Sequence, residues 1–345
     1  MLKKKEIVEL KEHLERALNP LFYFDNDQDG LCSFLLLRRF YGKGNGVPVK
    51  TSPLGKEYLR RIDEFEPDYV FVLDQPTISD EFVEFVKEKN LPLIWIDHHE
   101  VLKKNVPKYV KYFNPFLSSK TTEPVTKVCY DLTKRKEDLW ICVAGCVADK
   151  FVPEEYSEFE KKYPDLSLNS NAAFEILYRS EIGKISRIIG TGLKDRTSLV
   201  NKMIRFLIKS KTPYEVLEEN ATTKTFHDRF NLINEKLNAL VKKAKQNADD
   251  KVLFFEYASD VSMSADISNR LSFEFPDKFI VVIRDKGSDA NLSLRGKGIK
   301  KIFLKSIENL NGAKGGGHED AVGGQMPVSS LEEFKKRFLE ETKLN

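Results

Sequence analysis

The sequence predicts an α/β protein in two parts: an N-terminal domain with a parallel sheet over residues 1–210, a helical linker over 211–250, and a smaller C-terminal α/β domain over 251–345. Three observations favour this division. Apolar runs alternate with helical patterns in the first part, a long helical pattern follows, and strand-like runs return after residue 250. With 345 residues, 41% of them hydrophobic, the chain can bury a core in each domain.

The first strand is predicted where residues 21–24 form a short apolar run. The run stops at residues 25–30, which read Asp-Asn-Asp-Gln-Asp-Gly, and residues 31–40 are then mostly apolar without Gly or Pro. This order is typical of a strand, a loop and a buried helix. The acidic segment is therefore expected at the carboxyl end of a strand.

Two further strands are predicted at residues 69–73 and 93–96, with a helix over 80–89 between them. Continuous apolar strands that alternate with helices form parallel sheets covered on both faces. The second strand ends at Asp74 and the third at residues 97–99, which read Asp-His-His. Because the carboxyl ends of parallel strands share one edge, where ligand sites form, we expect these side chains in one cleft.

Potential ligands for a hard metal ion collect at these element ends, and an apolar helix predicted over 139–148 adds one more acid. The set is Asp25, Asp27, Asp29, Asp74, Asp97, His98, His99 and Asp149. Carboxylates with imidazole suit Mn²⁺ or Mg²⁺ better than structural zinc. So many acids at one edge would repel each other unless cations neutralise them. Two ions about 3.5–4 Å apart are a known arrangement for phosphoryl hydrolysis.

Each of these features also has an ordinary structural interpretation. Acids and Asn before a Gly are common turn chemistry, and a lone pair of histidines is more often part of a surface turn. A calcium loop is not supported, because Leu36 stands where its twelfth-position Glu would be. The coincidence favours a site: two of only five histidines are adjacent, follow an Asp and end an apolar strand.

The C-terminal domain is predicted from strand patterns at 252–255, 279–283 and 290–295. A glycine-rich loop over 315–324 and an amphipathic helix over 330–343 follow. This loop could bring backbone N–H groups close to a phosphate, although many glycine-rich segments are only turns. The residues proposed for it are Gly315, Gly316, Gly317 and His318.

A local basic patch is predicted next to this loop in the second domain. Arg295 ends a predicted strand and is followed by Lys297, Lys300 and Lys301. Such a patch suits a nucleotide backbone, and the alternative is a solvated surface. The patch has to act locally, because Lys and Arg (56) nearly balance Asp and Glu (53) over the whole chain and leave a net charge of +3.

The composition also bears on the cellular compartment. Four cysteines occur without a Cys-x-x-Cys pair, which predicts buried, reduced thiols in an intracellular protein. Residues 1–12 lack the apolar core of a signal peptide, and no apolar run approaches the roughly 20 residues of a membrane span. We expect a cytoplasmic protein without a membrane partner.

Five motifs, in order, resemble those of the DHH phosphoesterases. Residues 25–30 resemble the family's Asp/His-x-Asp-x-Asp-Gly motif, and residues 73–74, Leu-Asp, resemble its second motif. Residues 96–99, Ile-Asp-His-His, resemble the signature itself, and 145–149 resemble Gly-x-x-x-Asp. Residues 315–324 resemble the loop of the DHH-associated domain. The resemblance covers nearly the whole chain and suggests a RecJ-like or nano-RNase-like member with a C-terminal DHH-associated domain.

The resemblance implies roles for individual residues. It implies that Asp27, Asp29, Asp74, His98 and Asp149 are metal ligands, with Asp74 bridging two Mn²⁺ ions and Mg²⁺ as the alternative ion. Asp25 stands where a His is often found and is expected to bind metal as well. His99 would face the scissile phosphate, and Asp97 would orient the histidines. Ser293 and Arg295 correspond to polar positions near the substrate.

The function that the resemblance implies is metal-dependent hydrolysis of phosphodiester bonds, by an exonuclease-like enzyme that releases mononucleotides from single-stranded RNA or DNA or from short oligonucleotides. Its active site is expected in the cleft between the two domains. Three alternatives stay open: a linear or cyclic dinucleotide phosphodiesterase, an inorganic pyrophosphatase, and a non-catalytic RecJ-like replication scaffold. A protein of replication or repair is a further expected partner, and the oligomeric state is left open.

Overall fold

A computed structural model of the chain describes residues 1–100, 106–247 and 251–344. It divides into two compact units, Met1–Phe230 and Asn231–Asn345. Each unit is built around its own five-stranded sheet with helices packed against it. This confirms the predicted α/β class with a parallel sheet in the N-terminal part and a second, smaller α/β unit.

The N-terminal unit contains five strands and most of the helices. Its strands are β1 (Pro20–Asp25), β2 (Asn45–Val49), β3 (Tyr69–Leu73), β4 (Leu93–Ile96) and β5 (Lys111–Phe113). Its helices are α1 (Lys4–Arg16), α2 (Gln28–Tyr41), α3 (Arg60–Phe65), α4 (Asp80–Glu88), α5 (Pro115–Ser119), α6 (Val125–Thr133), α7 (Leu139–Ala148), α8 (Tyr156–Lys162), α9 (Ala173–Arg179), α10 (Glu181–Gly192), α11 (Thr197–Lys209) and α12 (Tyr214–Leu217).

All neighbouring strands of the first sheet run parallel, in the order β2-β1-β3-β4-β5. Alternate residues of each strand enter different cores: Phe22 and Phe24 pack with α2 and α7 on one face, whereas Leu21 and Tyr23 pack with α4 on the other. Burial on both faces explains why the strands read as unbroken apolar runs.

Two strands of this sheet, β2 and β5, have no counterpart in the sequence prediction. Strand β2 reads Asn-Gly-Val-Pro-Val and β5 has only three residues, so neither carries a clear strand pattern. Both lie at the edges of the sheet, where Pro and short strands are tolerated.

The boundary between the units falls inside helix α13 (Lys224–Ala244), within the segment that the sequence identifies as a helical linker. The C-terminal unit then contains β6 (Val252–Ala258), α14 (Ser264–Glu274), β7 (Phe279–Asp285), β8 (Asp289–Arg295), α15 (Ile299–Ser306), β9 (Lys314–His318), β10 (Ala321–Pro327) and α16 (Leu331–Leu344). Its sheet is mixed, in the order β6-β7-β8-β10-β9, and only β6 and β7 are parallel to each other.

The glycine-rich segment differs from the prediction, because it forms a hairpin rather than a loop. Strands β9 and β10 pair antiparallel, and β10 also pairs with β8. Glycine has low strand propensity, so its sequence pattern suggested a loop. Strand β10 pairs with β8 along the whole length of β8, and this pairing outweighs the low strand propensity of glycine.

The four cysteines are free and buried, in agreement with the predicted buried thiols. Within the described ranges, none of the helices combines the length and the apolar character needed to cross a membrane.

Candidate metal centre

The sheet brings three acids to one edge of the N-terminal unit. Phe24 of β1 is in register with Leu73 of β3, and Leu73 is in register with Ile96 of β4. The next residue on each strand is therefore an aspartate at nearly the same level: Asp25, Asp74 and Asp97. This alignment follows from the parallel pairing of the strands. Neighbouring strands that end at the same level place the residues at their carboxyl ends at one edge of the sheet.

The turn from β1 into α2 adds two more carboxylates. Asp27 caps α2 by accepting a hydrogen bond from the Gly30 backbone N–H at 2.9 Å. Asp29 belongs to the first turn of α2. Its carboxylate accepts hydrogen bonds from the backbone N–H groups of Val125 and Thr126, at the N-terminus of α6, at 2.9 and 2.7 Å. A Cβ at Gly30 would lie 2.4 Å from the Asp25 carbonyl oxygen, so only glycine allows this tight turn.

His98 lies among these acids and is itself buried. Its Nε2 atom is 3.3 Å from Asp74 Oδ1, 3.6 Å from Asp149 Oδ2 and 4.0 Å from Asp29 Oδ2. Asp74 follows β3, Asp149 follows α7 and Asp29 lies in the first turn of α2, so acids from three elements converge on one imidazole nitrogen. Residues more than a hundred positions apart in sequence thus form one cluster of oxygen and nitrogen ligands.

Asp74 belongs to three overlapping groups of possible ligand atoms, and within each group the atoms lie within 4.8 Å of one another. Two of these groups consist of proposed ligands: Asp29, Asp74 and His98 in one, and Asp25, Asp27 and Asp74 in the other. The third joins Asp74 to Asp97 and His99. Asp74 also has a positive φ of 60°, a backbone conformation that is uncommon outside glycine and is often found at functional sites. The structure therefore brings together all six residues that the sequence analysis proposed as ligands.

The arrangement fits divalent cations. Asp74 Oδ1 is buried and has no hydrogen-bond partner among the described residues, which is costly for a carboxylate oxygen unless a cation is bound. The donors are carboxylate oxygens and one imidazole nitrogen, a set that suits Mn²⁺ and Mg²⁺. Residues Asp25, Asp27, Asp29, Asp74, His98 and Asp149 would hold such ions.

The pKa shifts of the acids show how unfavourable the cluster is without cations. Burial, followed by the charge of Asp27, raises the pKa of Asp25 to about 8. Burial likewise raises the pKa of Asp149 to about 7, even though His98 opposes the rise. Burial and the neighbouring carboxylates, Asp29 first, raise the pKa of Asp74 well above its ordinary value. Bound cations would offset this repulsion and restore the charged forms.

His99 and Asp97 form a hydrogen-bonded pair next to Asp74. His99 Nδ1 donates a hydrogen bond to Asp97 Oδ1 at 2.7 Å, and Asp97 is fully buried. Burial alone would lower the pKa of His99, but the hydrogen bond and charge of Asp97 outweigh it and raise that pKa to about 9. Burial would raise the pKa of Asp97, yet its bond to His99 keeps it below the ordinary value. The pair is an imidazolium–carboxylate unit at neutral pH.

Three polar residues that the sequence analysis did not identify hold this site in place. The Tyr112 hydroxyl donates to Asp97 Oδ2 at 2.8 Å, and Asn114 Nδ2 donates to the His99 carbonyl oxygen at 2.9 Å. Gln75 Nε2 donates to Asp25 Oδ1 at 2.8 Å. Gln75 could have been suspected from the sequence because it follows Asp74. Tyr112 lies in β5 and Asn114 follows it, and β5 has no clear strand pattern in the sequence.

The proposed substrate residues lie in the C-terminal unit. Arg295 donates from Nε to Asn269 Oδ1 at 2.6 Å and from Nη1 to Ser293 Oγ at 3.2 Å. Ser293 Oγ is also 2.9 Å from Ser268 Oγ. This network fixes the guanidinium at the end of β8. The structure places Asn269 in direct contact with Arg295.

The glycines of β9 differ in what they require. A Cβ at Gly315 would lie 2.4 Å from the Gly323 carbonyl oxygen, and Gly317 has a φ of 148°, so both positions need glycine for the hairpin itself. A Cβ at Gly316 would meet nothing within 4 Å. Since β9 is an edge strand, the exposed backbone at Gly316 is available to a ligand. His318 ends the same strand.

The raised pKa values predict that the metal-free protein loses stability as pH increases. Asp25 and Asp149 keep a proton in the folded state up to about pH 8 and 7, whereas unfolded aspartates lose it near 3.8. The His99 contribution is fully present below its ordinary pKa of 6.5 and is lost as pH rises through about 9. In all three cases the folded state binds more protons, so the free energy of unfolding falls across this range.

This can be measured as the unfolding temperature in excess chelator between about pH 5.5 and 9. Both tryptophans, Trp95 and Trp140, lie in the N-terminal unit, so their fluorescence reports on that unit. Asp25→Asn should flatten the decrease, while Asp80→Asn, at an exposed position, should not. A metal-free unfolding temperature that stays level or rises over this range would contradict the expectation.

Both halves of the chain match known domain families. Residues 21–158 match the DHH family, N-terminal domain, and residues 249–343 match the DHHA1 domain. The first match contains all six proposed ligands, and the second contains the network around Arg295 and the glycine hairpin. Among curated protein sequences, none matches this chain.

The fold is similar to that of several solved structures. RecJ in complex with Mn²⁺ from Thermus thermophilus gives a TM-score of 0.74 at 16% identity, over 99% of this chain and 56% of that chain. Exonuclease RecJ bound to manganese gives 0.65 at 17%, over 98% and 94%. A pGpG-specific phosphodiesterase from Vibrio cholerae gives 0.51 at 13%, over 94% and 99%. This chain spans little more than half of the Thermus RecJ chain, and at these identities the likeness shows the fold.

Proposed function

Since the chain belongs to the DHH family and carries both a DHH N-terminal domain and a DHHA1 domain, we propose that it is a two-metal phosphodiesterase acting on single-stranded or short nucleic acid. The observation that carries the proposal is the position of Asp74, which is shared by both groups that the proposed ligands form. A carboxylate shared in this way suits a pair of neighbouring ions.

Different side chains would have different roles in hydrolysis. Bound Mn²⁺ or Mg²⁺ would supply Lewis-acid chemistry for the phosphate oxygens and for an attacking water. Asp29 is held at a helix N-terminus through both carboxylate oxygens, so its geometry is preorganised. Gln75 similarly fixes Asp25. Such fixed partners orient ligand side chains and tune their affinity.

His99 would act on the phosphate rather than on an ion. Its Nδ1 atom is held by Asp97, so Nε2 is the ring atom that would donate a proton or a hydrogen bond to a phosphate oxygen. The hydrogen bond and charge of Asp97 outweigh burial and raise the pKa of His99, which favours the protonated, positively charged ring. A fixed positive charge beside the reacting phosphate stabilises the charge that develops in the transition state.

We propose that the DHHA1 unit holds parts of the substrate remote from the bond that is cleaved. Arg295 is fixed by Asn269 and Ser293, and the backbone at Gly316 is open on an edge strand. A guanidinium and exposed N–H groups are suited to the phosphates of a nucleic-acid strand. Single-stranded nucleic acid, which is thin and flexible, suits these contacts, and we propose that mononucleotides are released from it. A replication or repair protein is a further proposed partner.

The main alternative is a dinucleotide phosphodiesterase, linear or cyclic, which differs only in substrate length. It is favoured by the fold shared with the pGpG-specific enzyme. An inorganic pyrophosphatase is less well supported, because it would leave the Arg295 network without a ligand. A non-catalytic scaffold is the least supported, because all of the proposed ligands are present and converge.

Product analysis tests the proposal directly. End-labelled RNA and DNA, from dinucleotides to longer oligomers, are incubated with the purified protein in Mn²⁺, and the products are resolved by length. Stepwise release of mononucleotides from oligomers supports the exonuclease, and cleavage of dinucleotides alone supports the alternative. Full activity in excess chelator, or a preference for pyrophosphate over every oligonucleotide, would contradict the proposal.

Arg295→Ala should lower kcat/KM on an oligonucleotide by roughly tenfold or more, because remote contacts orient the scissile phosphate. His318→Ala and Gly316→Val should act in the same direction, the latter by blocking approach to the backbone while leaving the hairpin room for a side chain. The effect on a minimal aryl phosphodiester should be much smaller. Measurements use matched Mn²⁺ and salt.

Arg337→Ala serves as the control, since Arg337 is a cation of the same unit that pairs with Glu333 on α16. It should leave both substrates nearly unaffected. If Arg295→Ala and His318→Ala reduce both reactions equally, the DHHA1 unit does not act on remote parts of the substrate.

A further inference from the structure

A second charged feature of the N-terminal unit lies away from the acid cluster. It is a cavity of about 470 Å³ at the C-terminal end of α2. Helix α2 begins beside Asp29 and runs for 14 residues, so this end is about 20 Å from the cluster at 1.5 Å per residue. The charged residues that line the cavity are Arg38, Arg39, Arg135, Lys209, Lys211 and Glu137.

Arg39 ties the wall of the cavity together. Its Nη2 and Nε atoms are 2.7 and 2.8 Å from Asp138 Oδ1, and both side chains are almost completely buried. Its Nη1 atom donates to the carbonyl oxygens of Leu207, Ile208 and Ser210, at 2.7, 3.1 and 2.6 Å. Arg39 is therefore neutralised and fully engaged, and its role is structural.

Arg135 is held in position by the same wall. Its Nη1 atom donates to the Arg39 carbonyl oxygen at 3.0 Å and lies 3.6 Å from Asp138 Oδ2. About 36% of its side chain is exposed. The guanidinium is thus oriented by the protein and still reachable from solvent.

Three cations remain without an acidic partner. Within the described part of the chain, the side chains of Arg38, Lys209 and Lys211 form neither a hydrogen bond nor an ion pair, and all three line the same cavity. Five positive charges here are accompanied by three negative charges: Asp138, Glu137, which lies 3.6 Å from Arg135, and Glu215, which accepts hydrogen bonds from the backbone N–H groups of Lys211 and Thr212. The whole chain has a net charge of only +3, so this concentration is local.

Helix ends explain only part of this arrangement. Basic side chains in the last turn of a helix offset its dipole, and Arg38 and Lys209 occupy such positions in α2 and α11. The terminal carbonyls of α11 are already satisfied by Arg39, however. The dipole also does not explain why side chains from α2, the α6–α7 connection and the end of α11 line one cavity. Like charges brought together repel each other unless an anion is bound.

We propose that this cavity binds phosphate groups, at a site separate from the acid cluster and formed by Arg38, Arg135, Lys209 and Lys211. Arginine recognises phosphate through two parallel hydrogen bonds, and lysine adds point charges. The volume lies in the usual range of small-ligand sites, so it accommodates more than one phosphate group. These groups come either from a free polyphosphate or from consecutive phosphates of a nucleic-acid strand.

Binding of tripolyphosphate to the full chain tests the proposal. The titration is made by calorimetry in excess chelator, so that no ion at the acid cluster contributes, and at about 0.15 M salt, where diffuse attraction is screened. Arg38→Ala combined with Lys211→Ala should weaken binding at least tenfold. Both side chains lack partners in the described structure, so the unfolding temperature should not change; Lys209→Glu is a second, independent variant.

The matched control is Lys4→Ala combined with Lys5→Ala, which removes the same charge from exposed positions of α1. It should bind tripolyphosphate as the wild type does. No binding by the wild type, or equal dissociation constants for the cavity and control variants, would overturn the proposal.

A second arm of the experiment identifies the source of the phosphate. The same variants are titrated with a short oligonucleotide under the same metal-free conditions. Weaker oligonucleotide binding in the cavity variant, with tripolyphosphate binding also weakened, supports strand phosphates as ligands. Weakening for tripolyphosphate alone supports a free polyphosphate. Neither titration depends on hydrolysis. The proposal of a phosphate site can therefore fail while the proposed function stands, or stand while that function fails.

Discussion

Asp74→Ala is expected to abolish most of the phosphodiesterase activity, lowering kcat/KM by roughly a thousandfold. Asp74 is shared by the group that contains Asp29 and His98 and the group that contains Asp25 and Asp27, so its loss should disturb both ions. The transition-state stabilisation at stake is several kcal/mol, and about 4 kcal/mol corresponds to roughly 10³-fold in rate. The measurement is kcat/KM on a short end-labelled oligonucleotide at saturating Mn²⁺, together with the metal content of the variant.

The control for this prediction is Asp80→Asn. Asp80 is also an aspartate that follows β3, at the start of α4, but it is exposed and belongs to neither ligand group. It should retain activity within a few-fold. If Asp74→Ala keeps more than a tenth of the activity, or loses it with both ions still bound, a bridging role is ruled out.

His98→Ala and His99→Ala are expected to fail for different reasons. His98 Nε2 points into the acids at 3.3–4.0 Å, so its loss should lower the Mn²⁺ content. His99 Nδ1 is bonded to Asp97 instead, so His99→Ala should keep the metal content and lower kcat by about a hundredfold or more, as expected for loss of a proton donor. Elemental analysis and kcat separate the two effects.

The pH profile gives a second readout for His99. If the imidazolium is the active form, kcat should fall as pH rises through the pKa of His99. Tyr112→Phe removes a hydrogen-bond donor to Asp97, so it should shift the pH at which kcat falls without removing metal. Equal loss of Mn²⁺ in the His98 and His99 variants would show that both are ligands and that the assignment is wrong.

The candidate ligands could be predicted from the sequence because the signal is local. Buried parallel strands read as short apolar runs, and Asp25, Asp74 and Asp97 each stand at the point where such a run stops. Parallel pairing then places them at one edge, whatever the details of packing. The order of five motifs pointed to the same family that the domain matches show.

The partners of these residues could not be predicted, because they depend on contacts between distant segments. Gln75 bonds to Asp25 across 50 positions, and Tyr112 and Asn114 reach Asp97 from a three-residue edge strand and the residue after it. The sequence neighbours of Tyr112 and Asn114 do not mark them, and Gln75 is marked only by following Asp74. Only the pairing of the strands decides which polar side chain meets which acid.

The α/β class, the three central strands of the first sheet and the candidate metal ligands could be read from local sequence, since burial and strand ends leave a periodic pattern. The tertiary structure decided that the glycine segment pairs as a hairpin and that basic residues from three separate segments line one cavity. The physical reason is that pairing along β8 outweighs the low strand propensity of glycine, and that the cavity's charges converge only through the packing of α2, α7 and α11.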